Sequence, residues 1–171
     1  MTYTDELALL NLLDKFEVPI IPQNTHFWMI RTKKGYFYNE FLSKRFVALA
    51  WNNITHKTDF SESNRDSLKD DVLMTFKEIH RPSTVINKCY SFINEIQTND
   101  ILVIPSVKSS YITFALAGEY YEDDSKTLEL EQNVIYRIDN HDVDINDVSC
   151  PYKKRRRITL LRTAKNEELN Y

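Results

Sequence analysis

The stretch FVALAWNNI, Phe46 to Ile54, decides how this chain is read. A short apolar run, Phe46 to Ala50, leads straight into Trp51 and the amides Asn52 and Asn53. Aromatic, branched and small apolar residues in sequence suit a strand packed on a core. Two readings of its end stand side by side. In one, Trp51 closes a hydrophobic interior, as buried aromatics commonly do. In the other, its ring is one wall of a pocket at the mouth of a curled sheet. Asn52 and Asn53 are open to two readings as well. An amide carries both a donor and an acceptor, as reading a base edge requires. Asparagine also serves in ordinary turns.

Upstream of this strand, HFWMIRT (His26–Thr32) reads as a strand, and Gly35 marks a backbone geometry that other residues resist. YNEFLSK (Tyr38–Lys44) reads as a short helical turn. At the start of the chain, Thr4 caps an amphipathic segment with Leu7, Leu10, Leu13 and Phe16 on one side, and Pro19 and Pro22 end it. This gives an N-terminal helix and linker over 1–24, packed on the domain or free to bind a partner. Downstream, Ser63 and Asp66 suggest an acidic capping box. Leu68, Val72, Phe76 and Ile79 follow at i, i+4, i+8 and i+11, one buried helical stripe. Pro82 restarts the chain, and Val85, Cys89, Phe92 and Ile96 repeat the stripe.

After Asp100 the period shortens. ILVIP (Ile101–Pro105) is a continuous apolar strand, and YITFALAGEYY (Tyr111–Tyr121) another. Gly118 within it signals a bulge or a close approach by another backbone or a ligand. LELEQNVIYRI (Leu128–Ile138) and RRITLLRT (Arg156–Thr163) are expected to add two more strands. Five or six strands with two helices inserted after the second predict an α+β protein. A small curled β-sheet or pseudobarrel with inserted helices fits that order. The main domain is expected over 25–163, with 164–171 as a tail or the start of a linker.

The bulk numbers bound the classes. The chain has 171 residues, 42% hydrophobic and 27% charged, enough for one core and too apolar for default disorder. No apolar run approaches the ~20 residues that cross a bilayer, and the acidic start is unlike a signal peptide. Cys89 and Cys150 form no disulfide framework, so a reduced, cytoplasmic protein without a membrane partner is expected. The formal charge is −3, but Glu119–Asp147 alone carries −8, leaving +5 elsewhere. The run KKRRR, Lys153–Arg157, follows at once. Such separation either builds a positive face or lets the two stretches neutralise each other.

The order Trp28-x-x-Arg31, the Gly35-Tyr36 turn, VALAW, NDILVIPS, ITFALAGEYY and YKKRRRITLL resembles the EVE-like group of the PUA superfamily. Domains of that group occur in restriction and anti-phage defence proteins. The resemblance spans Phe27–Tyr121 and Tyr152–Leu161. It departs from the family at Ala50, where a glycine is usual, and at Asn99-Asp100, where Gly-Asp is usual. Thr159-Leu160 stands where the family often has Lys-Trp, which leaves an aromatic pocket less complete. The resemblance implies a pseudobarrel and a non-catalytic module that recognises a modified, flipped base, in DNA ahead of RNA. An effector protein or a fused C-terminal domain would supply the chemistry. A flipped base loses a few kcal/mol of stacking, and each aromatic platform can return ~1–3 kcal/mol.

On that expectation the base-binding candidates are Trp51, Tyr36, Tyr38, Asn52, Ser106 and Tyr120, with Phe37 facing the core. Arg31, Lys33, Lys34, Arg155 and Arg156 are the phosphate candidates. Such contacts position nucleic acid without reading its sequence. Each has a plainer alternative: turn duty for Ser106, core packing for the tyrosines and a solvated face for the cations. Two other roles stay open: a sensor of a free nucleotide or similar small molecule, and a protein-interaction module of a defence complex.

No catalytic pattern rises from the chain. His26, His56, His80 and His141 are scattered, with no zinc-ligand spacing. There is no nucleophile elbow and no P-loop. Asp124-Ser125-Lys126 superficially resembles a nuclease pair but lacks an upstream carboxylate partner. Cys89 reads as packing, and Cys150 as a loop thiol that could be exposed. Neither an enzyme nor a cofactor is expected.

Overall fold

The computed structural model describes residues 24–144 and 147–169. The expected N-terminal helix lies outside the described residues. The elements are β1 (Phe27–Met29), α1 (Tyr38–Lys44), β2 (Phe46–Leu49), α2 (Arg65–Thr75) and α3 (Pro82–Tyr90). Then come β3 (Ile101–Pro105), β4 (Tyr111–Glu122), α4 (Leu128–Asp139) and β5 (Lys154–Lys165). The architecture is α+β.

The five strands form one mixed sheet in the order β1-β3-β4-β5-β2. β1 runs parallel to β3, and the other pairings are antiparallel. The ladder is open, with β1 and β2 at its edges. Its curl nevertheless brings the two edges together at one end, where the Thr32 hydroxyl donates to the Ala48 carbonyl at 2.6 Å.

Both glycines sit where a side chain would collide. Gly35 has φ +85°, and a Cβ there would lie 2.7 Å from the Ser106 carbonyl carbon. The loop after β1 and the β3–β4 turn therefore close on each other through bare backbone. At Gly118 a Cβ would lie 3.0 Å from the Arg157 carbonyl, and the β4–β5 register shifts between Ala117 and Tyr120. Bulge and close approach occur together there.

Two apolar clusters result. Under the sheet, Phe37 meets Tyr152 edge-on at 5.5 Å and Phe41 meets Phe46 at 5.3 Å, with Leu102, Ile104, Ala115 and Ile158 around them. The second joins the 50s loop to the helices through Ile54, Leu68, Val72, Val85, Ile86 and Cys89. The helical stripes feed both clusters: Leu68, Val72, Val85 and Cys89 are buried in the second, and Phe92 and Ile96 in the first.

Three expectations are corrected. Leu128–Asp139 is a helix, capped by Thr127, whose side chain accepts from the Leu130 N–H at 3.1 Å. No capping box forms at Ser63: α2 begins after Asn64 without a side-chain cap, and Ser63 Oγ meets Ser61 Oγ at 3.0 Å. β5 runs on to Lys165, past the expected boundary at 163, and pairs Tyr111 with Lys165. Among the described residues, no helix is long and apolar enough to cross a membrane.

Candidate functional site

A cleft of about 1090 Å³ opens between the sheet and the helices. Both tryptophans of the chain line it, together with Phe76, Ile79, Ile135 and Tyr136. Predominantly apolar, aromatic walls with a few polar groups are the usual make-up of a ligand site.

Trp51 is half-buried and lies two residues past the end of β2. Its backbone is left-handed, φ 68°, which costs an L-residue on the order of 1–2 kcal/mol. Two buried charges hold this geometry. Glu131, on α4, accepts the Trp51 N–H at 2.7 Å and the Asn52 N–H at 2.7 Å, one on each carboxylate oxygen. Lys154, the first residue of β5, donates its ammonium to the Trp51 carbonyl at 2.6 Å and the Ile54 carbonyl at 2.8 Å. Burial pushes the Glu131 carboxyl up from its ordinary value, against the pull of the two N–H donors and of Lys154. Burial likewise pushes the Lys154 ammonium down.

Trp28 is held differently. Its indole N–H donates to Asp100 at 2.8 Å. The same carboxylate accepts the His26 N–H at 3.2 Å and the Gln97 N–H at 2.9 Å. Burial raises the Asp100 carboxyl, but these hydrogen bonds and the nearby His26 outweigh it and leave the group below its ordinary value.

Of the expected phosphate contacts, Arg31 and Lys33 line the cleft. Arg31 is exposed and makes no hydrogen bond or ion pair to a described residue. Lys33 is paired to Asp139 at 2.7 Å, a bridge between the loop after β1 and the end of α4. Lys34 is exposed and lies outside the cleft lining. Arg155 and Arg156, the two candidates on β5, are structural. Arg156 is buried and donates to the carbonyls of Phe92 at 2.9 Å, Gly118 at 3.1 Å and Ile93 at 3.2 Å. It thereby holds the π-helical turn Ser91–Glu95 that ends α3. Arg155 pairs with Asp123 at 2.9 Å, donates to the Tyr152 and Cys150 carbonyls and lies over the Phe46 ring.

The remaining base-binding candidates do not line the cleft. Asn52 is buried. Its side-chain amide donates to the Pro151 carbonyl at 2.9 Å and the Thr127 carbonyl at 3.0 Å, and its oxygen accepts the Lys153 N–H at 2.8 Å. The edge it was expected to present to a base is consumed by the protein. Tyr38 is buried against the Thr113 hydroxyl at 2.6 Å, and Tyr36 packs on the sheet's core. Ser106 is buried in a turn, where its hydroxyl accepts the Tyr111 N–H at 2.9 Å. The Tyr120 hydroxyl donates a hydrogen bond to Glu122 at 2.6 Å, and its ring packs on Phe92.

The cysteines have no nucleophilic setting. Both are buried, and Cys150 is not the exposed loop thiol expected. Desolvation pushes Cys89 up to about 11 and Cys150 up to about 12. No group of three or more His, Cys, Asp or Glu among the described residues could hold a metal ion. Asp124 of the nuclease-like triplet is exposed and paired with Lys153 at 2.7 Å.

Sequence reasoning missed Glu131, Tyr136 and Asp139, because the segment carrying them was expected to be a strand. Read at helical spacing, Glu131, Val134 and Ile138 fall on one buried face, the signal that would have placed a carboxylate beside the tryptophan. No family model, curated protein or solved structure matches the chain.

Proposed function

We propose that the chain is a non-catalytic nucleic-acid-binding module whose cleft takes one flipped, modified base, in DNA ahead of RNA, against the indole of Trp51. The observation that carries this reading is a half-buried tryptophan, fixed in a left-handed backbone, on the wall of an apolar cleft. Strain held at a ligand-facing residue is a pointer to function. The Trp28 ring supplies a second aromatic surface, and Arg31 stands at the lining as a cation with no partner among the described residues, available to a phosphate. The Thr32–Ala48 contact between the sheet edges supports the narrower architecture, an EVE/PUA-like pseudobarrel. The resemblance to EVE-like domains supplies the context, a restriction or anti-phage defence system with a separate effector.

One observation favours a second reading, a sensor of a free nucleotide. With Arg155 paired to Asp123 and Arg156 buried against carbonyls, two of the five expected phosphate contacts are spent within the protein. A single titration separates the two. Both tryptophans face the cleft, so intrinsic fluorescence reports binding without a label. Duplexes bearing methylated bases, and separately nucleoside monophosphates, are titrated against the chain at several salt concentrations. The first reading expects saturable quenching by duplex with a salt-dependent affinity. Trp51→Ala then weakens binding by ~1–3 kcal/mol, the worth of one stacked ring. Equal affinity for a mononucleotide establishes the second reading, and no saturable response to either probe sinks both.

A further inference from the structure

The Trp51 turn is assembled from parts that a chain rarely combines. A large aromatic residue occupies a left-handed backbone where glycine is the ordinary choice. Its N–H and that of Asn52 point to the same side and form a concavity suited to an anion. Here the anion is the chain's own: both oxygens of Glu131 fill it, at 2.7 Å each. On the other side the carbonyls of Trp51 and Ile54 converge on the Lys154 ammonium, at 2.6 and 2.8 Å. Glu131 is 3% exposed and Lys154 0%. The two charges form no direct ion pair with each other; each is answered by the peptide groups of the turn between them. Removing ions from water is justified only by excellent geometry at the partner groups, and all four partner groups belong to one turn of four residues.

We propose that Glu131 and Lys154 are positioning residues of the cleft, which grip the Trp51 turn from opposite sides and so set where the indole stands. The grip uses the backbone alone. The indole N–H of Trp51 makes no hydrogen bond to a described residue, so the ring keeps its donor for whatever enters, while part of its surface packs on the Ile54–Val72 cluster. Helix α4 and strand β5 thus meet at one aromatic residue that lies 80 residues from Glu131 and 103 from Lys154 in the chain. Any displacement of α4 is passed to the cleft wall through two hydrogen bonds.

The proposal builds on the cleft being the binding site, yet the grip is measurable without a ligand. With Trp28→Phe as background, Trp51 is the sole tryptophan and is excited selectively over the tyrosines. Glu131→Gln in that background keeps the shape and removes the charge. The double variant Glu131→Gln, Lys154→Met leaves neither ion buried alone and secures a folded test should the single one fail. Loss of the grip is expected to raise the acrylamide quenching constant of Trp51 about twofold and to lower its anisotropy, while far-UV circular dichroism stays unchanged. Nucleoside monophosphate binding, followed by the same emission, is expected to weaken about tenfold, close to one hydrogen bond's worth. In the unaltered chain, the Trp51 and Asn52 amides are expected to exchange with deuterium about a hundredfold more slowly than those of Lys77 and His80, which are exposed and donate to no described residue. Fast exchange of both amides, or quenching and anisotropy unmoved in a folded variant, overturns the grip. A grip that is present in a chain that binds no nucleotide overturns the proposed function and leaves the grip standing.

Discussion

Trp28 and Trp51 line one cleft but are fixed at different ends of the residue. Trp28 sits in an ordinary strand, and its ring is tethered by the indole N–H to Asp100. Trp51 sits in a strained turn, with its backbone tethered on both sides and its indole N–H left without a described partner. A side-chain tether fixes a ring's orientation and uses up its donor. A backbone tether fixes where the ring starts and leaves its chemistry intact. The first arrangement suits a wall and the second a contact surface.

The sharpest way to break this contrast is to remove one half of the backbone tether. Lys154→Ala leaves Glu131 buried without the nearby ammonium and the Ile54 carbonyl without its ammonium donor, while the Trp51 carbonyl keeps only the Ile54 N–H. The expected loss is about 3–5 kcal/mol of stability, read as a shift in the urea midpoint with an unchanged slope. Asp100→Asn attacks the other tether. It replaces a charged acceptor of three hydrogen bonds by a neutral one, and about 1.5–3 kcal/mol is expected to be lost. In a Trp51→Phe background the Trp28 emission should shift with it, whereas the Lys154 variant should leave Trp28 emission in place.

The smallest effect is a pH dependence. The Asp100 carboxyl lies below its ordinary value of 3.8 in the folded chain. Its contribution is therefore fully present above that value and is lost as pH falls through the lower folded value. Trp28 emission should hold steady through mild acid and change only below the ordinary carboxyl value of about 4. A Trp28 transition centred near neutral pH contradicts the tether.

Much of the scaffold was legible because it rests on local signals. The strand at Ile101–Pro105, the two helical stripes and both special glycines each announce themselves in a few residues. The α4 segment did not, since Leu128-Glu129-Leu130-Glu131 alternates apolar and acidic as a strand does, and Val134-Ile135-Tyr136 is β-prone. That single misreading hid the carboxylate that orders the Trp51 turn. The site was legible only in part, for a different reason. Five successive cations look like a solvated face. In fact Lys154 and Arg156 alternate inward to carbonyls supplied by the Trp51 turn, the Ser91–Glu95 segment and Gly118. Burial of a cation depends on acceptors contributed from distant chain, and no local pattern encodes them. Asn52 is the same case in reverse, since its partners lie 75 and 99 residues away.

The hydroxyl of Thr32 has a consequence beyond joining two strands. With Ile158 N–H bonded to the Arg45 carbonyl, the alternation along β2 turns the Ala48 carbonyl away from β5. That oxygen would otherwise stand as an open acceptor on an outer strand, the kind of invitation that lets a second copy add itself by backbone pairing. One threonine answers it from within the same molecule and denies a foreign chain its first foothold.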